Sequence, residues 1–169
     1  MVQEIKNFLS EKEFNNLYDE VLSQDFPWYR ALKVRKAGYD EHQMSHIFID
    51  TFSDKHPLKS FKLDSLMPLL KKAEKEFNIQ HFLRAKINLY YNTGEQKIGG
   101  WHHDWNKKDI HLNVATYYMN TNNGYTQLED GTKISSVANK MAVFGNVKHT
   151  DVTHTDTEER IVIVLGFYT

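Results

Sequence analysis

At 169 residues and a formal net charge of −1, the chain carries no global field that would recruit nucleic acid or an anionic membrane. It has no cysteine, which excludes disulfides, thiolate-bound zinc, iron–sulfur clusters and cysteine nucleophiles together. A hydrophobic share of 40% with 25% charged residues is that of a soluble globular protein, and the length suits one domain, residues 1–169.

The N-terminal stretch MVQEIKNFLSEKEF has neither a basic n-region nor an apolar h-region, so no secretory leader is expected. No apolar run approaches the roughly 20 residues of a membrane span. With cysteine absent, these features lead to the expectation of a cytoplasmic setting. Val2–Lys6 reads as a short entering strand. Phe14, Leu17, Tyr18, Val21 and Leu22 follow i, i+3, i+4, i+7, i+8, one apolar helical stripe, with Ser10 and Glu13 as a capping box at its start. The basic stretch Arg30, Lys33, Arg35, Lys36 reads as a solvated strand face. A second helix is expected over Asp64–Phe77, with Leu63, Leu66, Leu70, Ala73 and Phe77 on one side. Pro68 fits only its first turn, or it breaks the segment in two.

From about residue 81 the pattern changes to strands and turns, and the 13% aromatic share agrees with that. Strands are expected at 82–91, 111–119, 125–128, 132–135, 140–144 and 160–168. Asn-Thr-Asn-Asn-Gly at 120–124 is a turn signal, and Glu129-Asp130-Gly131 a hairpin signal. Short strands without intervening helices predict an antiparallel sandwich or barrel buttressed by two helices on one face. Residues 1–80 then form helical support with outer strands, and 81–169 the β core.

Chemistry concentrates in Trp101-His102-His103-Asp104-Trp105. On a strand, residues i and i+2 share a face, so His102 and Asp104 converge while His103 faces the other side, as a bystander or a residue lining the substrate side. Imidazole nitrogen and carboxylate oxygen suit a borderline divalent metal, and one distant histidine would complete a facial set on Fe(II) with open positions. Two candidates exist, His149 and His154. They are five apart, so a regular strand would turn them to opposite sides. His149 follows the apolar strand 141–144 and is favoured; His154 lies in a Thr-Asp-Thr-Glu-rich stretch that reads as a loop. Arg160 opens the apolar strand 161–167, and its planar fork calls for a carboxylate. That partner is either a bound anion or one of Glu158, Glu159 and Asp156. His42, His46, His56, His81 and His111 lack ligand spacing and read as surface or core histidines.

Together, His102-x-Asp104, His149 and Arg160 resemble the site pattern of the 2-oxoglutarate/Fe(II)-dependent dioxygenase superfamily. Ala115-Thr116-Tyr117-Tyr118-Met119-Asn120 is similar to the Tyr-Tyr-Leu-Asn segment of its prolyl-hydroxylase-like branch, and residues 123–131 to the hairpin that follows. The likeness covers about residues 80–169, and the Asn-Thr-Asn-Asn-Gly-Tyr turn is similar to that of small phage-encoded members, for which the host cytoplasm would be the setting. The resemblance implies a mainly β fold with a double-stranded β-helix, jelly-roll core. It implies that His102, Asp104 and His149 ligate Fe(II), and that Arg160 binds the distal carboxylate of 2-oxoglutarate. The Tyr118 hydroxyl would donate a second bond there, and Tyr91 would approach the cosubstrate, although the turn between Tyr91 and His102 departs in length from the family pattern. O2 is the other cosubstrate. Asp104 implies hydroxylation, because halogenating relatives lack that carboxylate. The strand after Arg160 lacks the second arginine of the superfamily's nucleic-acid demethylases. A prolyl or related residue of a protein or peptide is therefore the implied substrate, ahead of a nucleobase or small metabolite. Residues 39–60, with Asp40, Glu41, His42 and Ile47-Phe48-Ile49, read as part of the substrate wall. Two other readings stand: a non-catalytic β-helix binding module that uses Arg160 in a salt bridge, and a zinc hydrolase, which has the ligands but no evident general base.

Overall fold

The computed structural model of the chain describes residues 2–30, 43–51, 57–105 and 111–169. Lys33, Arg35 and Lys36 of the basic stretch, and Tyr39, Asp40, Glu41, His42 and His56, lie outside those residues. Strand β1 (Gln3–Ile5) leads to helix α1 (Glu11–Leu22), and β2 (Tyr29–Arg30), β3 (Gln43–Asp50) and β4 (Leu58–Lys59) precede α2 (Leu63–Phe77). The second half is strand throughout: β5 (His81–Tyr91), β6 (Leu112–Tyr118), β7 (Asn122–Leu128), β8 (Lys133–Ser136), β9 (Lys140–Gly145), β10 (His149–Val152) and β11 (Glu159–Tyr168). None of the described helices is long and apolar enough to cross a membrane.

Two sheets face one another. The large one runs β1-β9-β6-β11-β5-β3-β2, with β4 paired to β3, and the small one runs β10-β7-β8. All pairings are antiparallel. Residues 98–102 extend the small sheet through single bridges, Ile98 to Val152 and His102 to His149.

Strand alternation gives the large sheet two different faces. On β5, Ala85, Ile87 and Leu89 point to the helices, and on β11 Ile161, Ile163 and Leu165 do the same. They pack with Phe8, Leu17, Val21, Leu66, Leu69, Leu70 and Ala73 into one continuous core. The opposite face carries Val114, Tyr118, Phe144 and Val162 toward the small sheet, whose Leu128 and Ile134 meet them in a second cluster. This face also carries polar side chains, because one end of the inter-sheet space is open.

Helix α1 begins as the sequence predicts. Ser10 Oγ accepts from Glu13 N at 3.3 Å, and Ser10 N donates back to Glu13 Oε2 at 3.1 Å. Helix α2 departs from expectation, since it runs unbroken through Pro68 well past its first turn. Pro68 has no N–H for the Asp64 carbonyl and crowds it, at a cost of about 3 kcal/mol. Burial of Leu63, Leu66, Leu69, Leu70 and Ala73 along the same helix outweighs that cost. The asparagine-rich turn is also shorter than the sequence suggests. β7 already starts at Asn122 with a bulge before Tyr125, because the Asn120 side chain receives Ile161 N and donates to Glu159 O, pinning the chain beside β11. The hairpin at Glu129-Asp130-Gly131 forms as expected, with Gly131 at φ +89° and Leu128 N bonded to Thr132 O.

Replacing Pro68 by Ala restores a backbone donor and relieves the clash, partly offset by a freer unfolded chain. The expected outcome is a gain of roughly 2 kcal/mol in urea unfolding with an unchanged m-value.

Candidate active site

His149 opens β10, and His102 ends the segment laid along the free edge of that strand. The two residues exchange both backbone hydrogen bonds, His102 N to His149 O and His149 N to His102 O, each 2.9 Å long. A pair bonded in this way directs both side chains to the same side of the sheet. The imidazole centroids lie 4.4 Å apart.

Each ring is oriented by its own chain. Nδ1 of His102 is 3.0 Å from Gly100 O, and Nδ1 of His149 is 2.9 Å from Val147 O. A carbonyl can only accept, so each Nδ1 carries a proton and each Nε2 of the neutral rings carries a lone pair. Those lone pairs face a carboxylate. His102 Nε2 is 3.5 Å from Asp104 Oδ1, and His149 Nε2 is 3.3 Å from Oδ2. One donor atom from each of the three residues falls within 4.8 Å of the others. Asp104 Oδ2 is buried and has no hydrogen-bond partner among the described residues. An anion facing two nitrogen lone pairs is a socket for a cation, and the two-nitrogen, one-oxygen set suits Fe(II) or another borderline divalent ion.

Regular pleating accounts for only part of this. The chain leaves the ladder after His102 and bends at Asp104–Trp105. His103 is therefore not turned to the far side of the sheet, as regular pleating would have it; it lines the same cavity as His102 and Asp104, in keeping with the substrate-side alternative. The bend is anchored by Trp105, whose indole lies over Gly166 in β11. A Cβ at position 166 would overlap the six-membered ring of that indole. The Arg84 guanidinium covers the same indole, 5.6 Å from its centroid. A lone glycine within the apolar run 161–167 was the available signal, since such a residue marks a close approach.

The cavity in front of the triad has a volume of about 270 Å³. Its wall on β5 is built by Arg84, Lys86, Asn88 and Tyr90, and on β11 by Arg160, Val162 and Val164. Arg160 is 1% exposed and forms no ion pair with Glu158, Glu159 or Asp156, so the salt-bridge reading has no geometric support. Its Nε donates to Ser136 Oγ at 2.9 Å, and its guanidinium lies 5.5 Å from the Tyr90 ring centroid and 5.8 Å from that of Tyr118. Gly124 makes room for the arginine stem, since a Cβ there would come within 2.8 Å of Arg160 Cδ.

The tyrosines divide differently from expectation. Tyr91 is half exposed and outside the cavity, whereas Tyr90 lines it opposite Arg160. The pleat is the reason: the even-numbered residues of β5 face the cavity, and Tyr91 belongs to the other set. Tyr118 is fully buried behind the lining. Its hydroxyl donates to Thr126 Oγ1 at 2.9 Å, and Thr126 is a lining residue. Burial pushes the Tyr118 hydroxyl up to about 12, with the Arg160 charge acting against the rise, so it remains a proton donor. His154 is buried beyond the triad, and burial together with the Arg160 charge lowers its pKa. His46 is a satisfied core histidine, bonded to Pro27 O and Ser60 Oγ. Of the expected substrate wall, Gln43 lines the cavity and Ile47-Phe48-Ile49 does not; Phe48 packs on Phe26 in the helix-side core.

In anaerobic Fe(II) titrations followed by calorimetry, His149→Ala is expected to abolish binding, while His154→Ala retains it at a lower melting temperature. Gly166→Val should drive Trp105 from its seat and weaken the metal by about 10–100-fold, as loss of a supporting contact does. Unchanged affinity in Gly166→Val would mean that Asp104 is held by other contacts.

No family model matches the sequence, and no curated protein matches it. Solved structures do. A prolyl hydroxylase from Trichoplax adhaerens, in complex with a hypoxia inducible factor oxygen degradation domain peptide fragment, superposes with a TM-score of 0.72 at 14% identity, over 99% of this chain and 83% of that one. An oxidoreductase of the 2OG-Fe(II) oxygenase family from Burkholderia pseudomallei gives 0.69 at 11% identity, over 99% and 84%. A prolyl-4-hydroxylase from Pseudomonas putida gives 0.63 at 18% identity, over 99% and 91%. At such identities the likeness is one of architecture: the chain has the double-stranded β-helix fold of the 2-oxoglutarate/Fe(II) oxygenases, prolyl hydroxylases among them.

Proposed function

We propose that this protein is an Fe(II)- and 2-oxoglutarate-dependent dioxygenase that hydroxylates a C–H bond, with a prolyl or related residue of a protein or peptide as substrate. The observation that carries the reading is the pairing, in one cavity, of a two-histidine, one-carboxylate socket with a buried arginine that has no carboxylate partner among the described residues. A zinc hydrolase or a passive binding module would account for the first feature and leave the second without purpose.

Bound at that socket, iron with 2-oxoglutarate and O2 supplies oxidative decarboxylation to succinate and CO2, coupled to oxygen insertion into the substrate. The residues of the chain hold and orient. His102, Asp104 and His149 take the metal, with each imidazole fixed by its Nδ1–H to a backbone carbonyl. The Arg160 guanidinium receives the distal carboxylate of the cosubstrate, its stem tied by Ser136 so that its fork keeps one direction. Tyr90 flanks that carboxylate in the role the sequence suggested for Tyr91. Tyr118, through its bond to Thr126, steadies the same end from behind. Val162 and Val164, which follow Arg160 along the β11 wall of the cavity, would help keep water from the reacting centre. A protein or peptide substrate is supported by the prolyl hydroxylases among the similar structures.

Succinate release from 2-oxoglutarate, measured with Fe(II) under air, is the direct test. Wild-type protein is expected to form succinate, and more of it with a prolyl peptide, while His102→Ala forms none. Failure of the metal-loaded protein to bind 2-oxoglutarate would sink the proposal. Arg160→Ala should raise the 2-oxoglutarate requirement by about 100-fold, as loss of one partner of a desolvated charge pair does, with metal affinity little changed. An equal loss of both would make Arg160 a structural residue.

A further inference from the structure

Two buried polar atoms on the cavity wall have no hydrogen-bond partner among the described residues, and they are complementary. Asn88 is 7% exposed with its Oδ1 buried and unbonded; Trp105 is 8% exposed with its Nε1 in the same state. Both line the cavity that holds the triad and Arg160. The first is an acceptor, and the second is a donor that cannot accept. Each such atom costs about 1–3 kcal/mol while it lacks a partner, and native interiors hold few of them.

The packing shows how each is placed without one among the described residues. Asn88 stands on the cavity face of β5 between two register partners: Val162 on β11 offers no donor, and the hydroxyl of Ser45 on β3 does not bond Asn88 Oδ1. The seat of Trp105 is set by its fit over Gly166 and under Arg84, with no hydrogen bond to direct the indole nitrogen. Nor can the cosubstrate satisfy both atoms. At neutral pH 2-oxoglutarate has a keto oxygen and two carboxylates, all acceptors. It could meet the indole N–H, but it has nothing to donate to Asn88.

We infer that Asn88 and Trp105 are a recognition pair for an amide of the substrate, whose N–H donates to Asn88 Oδ1 and whose carbonyl accepts from Trp105 Nε1. This rests on the oxygenase reading for the role of the cavity, and it adds the group that the substrate presents beside the reacting carbon. Ketones and esters lack the donor. The cyclic amide of a nucleobase has both halves, but with a net charge of −1 the chain offers no general attraction for a polyanion.

The test uses the full chain, ¹⁵N-labelled and loaded with Zn(II), which supports no oxidation, followed by 2-oxoglutarate. The sequence has three tryptophans, and Trp105→Phe assigns the indole signal of interest. N-methylacetamide is expected to shift the Trp105 N–H downfield in a saturable way. Methyl acetate, which keeps the carbonyl but has no N–H, should bind about five-fold or more weakly, the equivalent of one unmet buried acceptor. In Asn88→Leu, which keeps the bulk and removes the acceptor, the two probes should bind alike. Equal affinity for both probes in the wild type, no response to either, a preference that survives in Asn88→Leu, or a response to 1-methyluracil alone would each overturn the inference. Binding of 2-oxoglutarate is scored before any probe is added, so failure of the oxygenase reading is seen separately from failure of the amide pair.

Discussion

The site depends on one reciprocal pair of backbone hydrogen bonds, between His102 and His149. It joins the segment 98–102 to the outer edge of β10 and, in doing so, decides that two imidazoles separated by 47 positions in the numbering share a face. A slip of one residue in that register would turn one ring out of the cavity, because side chains alternate along each strand. The small sheet is therefore the part of the fold in which a modest shift has the largest chemical consequence. Its pairing is continued on either side of the critical pair, by Gly99 N to Asp151 O and by Glu129 N to Lys148 O.

Around that seam the large sheet serves as a wall with unlike faces. The side toward α1 and α2 is largely apolar, with His46 hydrogen-bonded among its aromatic neighbours, and its burial is the main source of stability. The side toward the small sheet is filled by aromatic and aliphatic side chains at one end and left open at the other, where β5 presents charged and amide groups. Charge is managed by pairing. Lys140, 1% exposed, is bonded to Glu4 on β1 and to Ser135, and its ammonium lies 5.3 Å from the Tyr118 ring centroid. The N-terminal strand thus neutralises a cation that shares the Tyr118 ring with Arg160.

Much of this was legible in the residues alone. The 3.6-residue stripe of α1 and its Ser10–Glu13 box marked a helix, and the turn signals separated the strands, because both depend on local rules. His102, Asp104, His149 and Arg160 could be singled out by chemistry and spacing. What escaped depended on knowing which way a side chain points. Tyr90 and Tyr91 are adjacent and identical, and only the alternation of Ile87 and Leu89 with Lys86 and Asn88 told which one shares the cavity. His103 stayed open between bystander and cavity wall because the pleat has no say beyond the end of the ladder. Pro68 was judged by its local cost, whereas the decisive contribution came from apolar burial along the whole helix. Asn88 carries no sequence signal at all; its importance lies in a side-chain oxygen left unbonded between two strands that are remote along the chain.

The contact between Trp105 and Gly166 has a consequence for how this site could change over time. The loop and β11 compete for a single volume, which can be filled once, from either side. A bulky residue on the strand would require a small one in the loop, and neither change is tolerable before the other. The two positions form one hereditary unit, and an intermediate with both large or both small would lose the carboxylate's footing without any alteration of the ligands themselves.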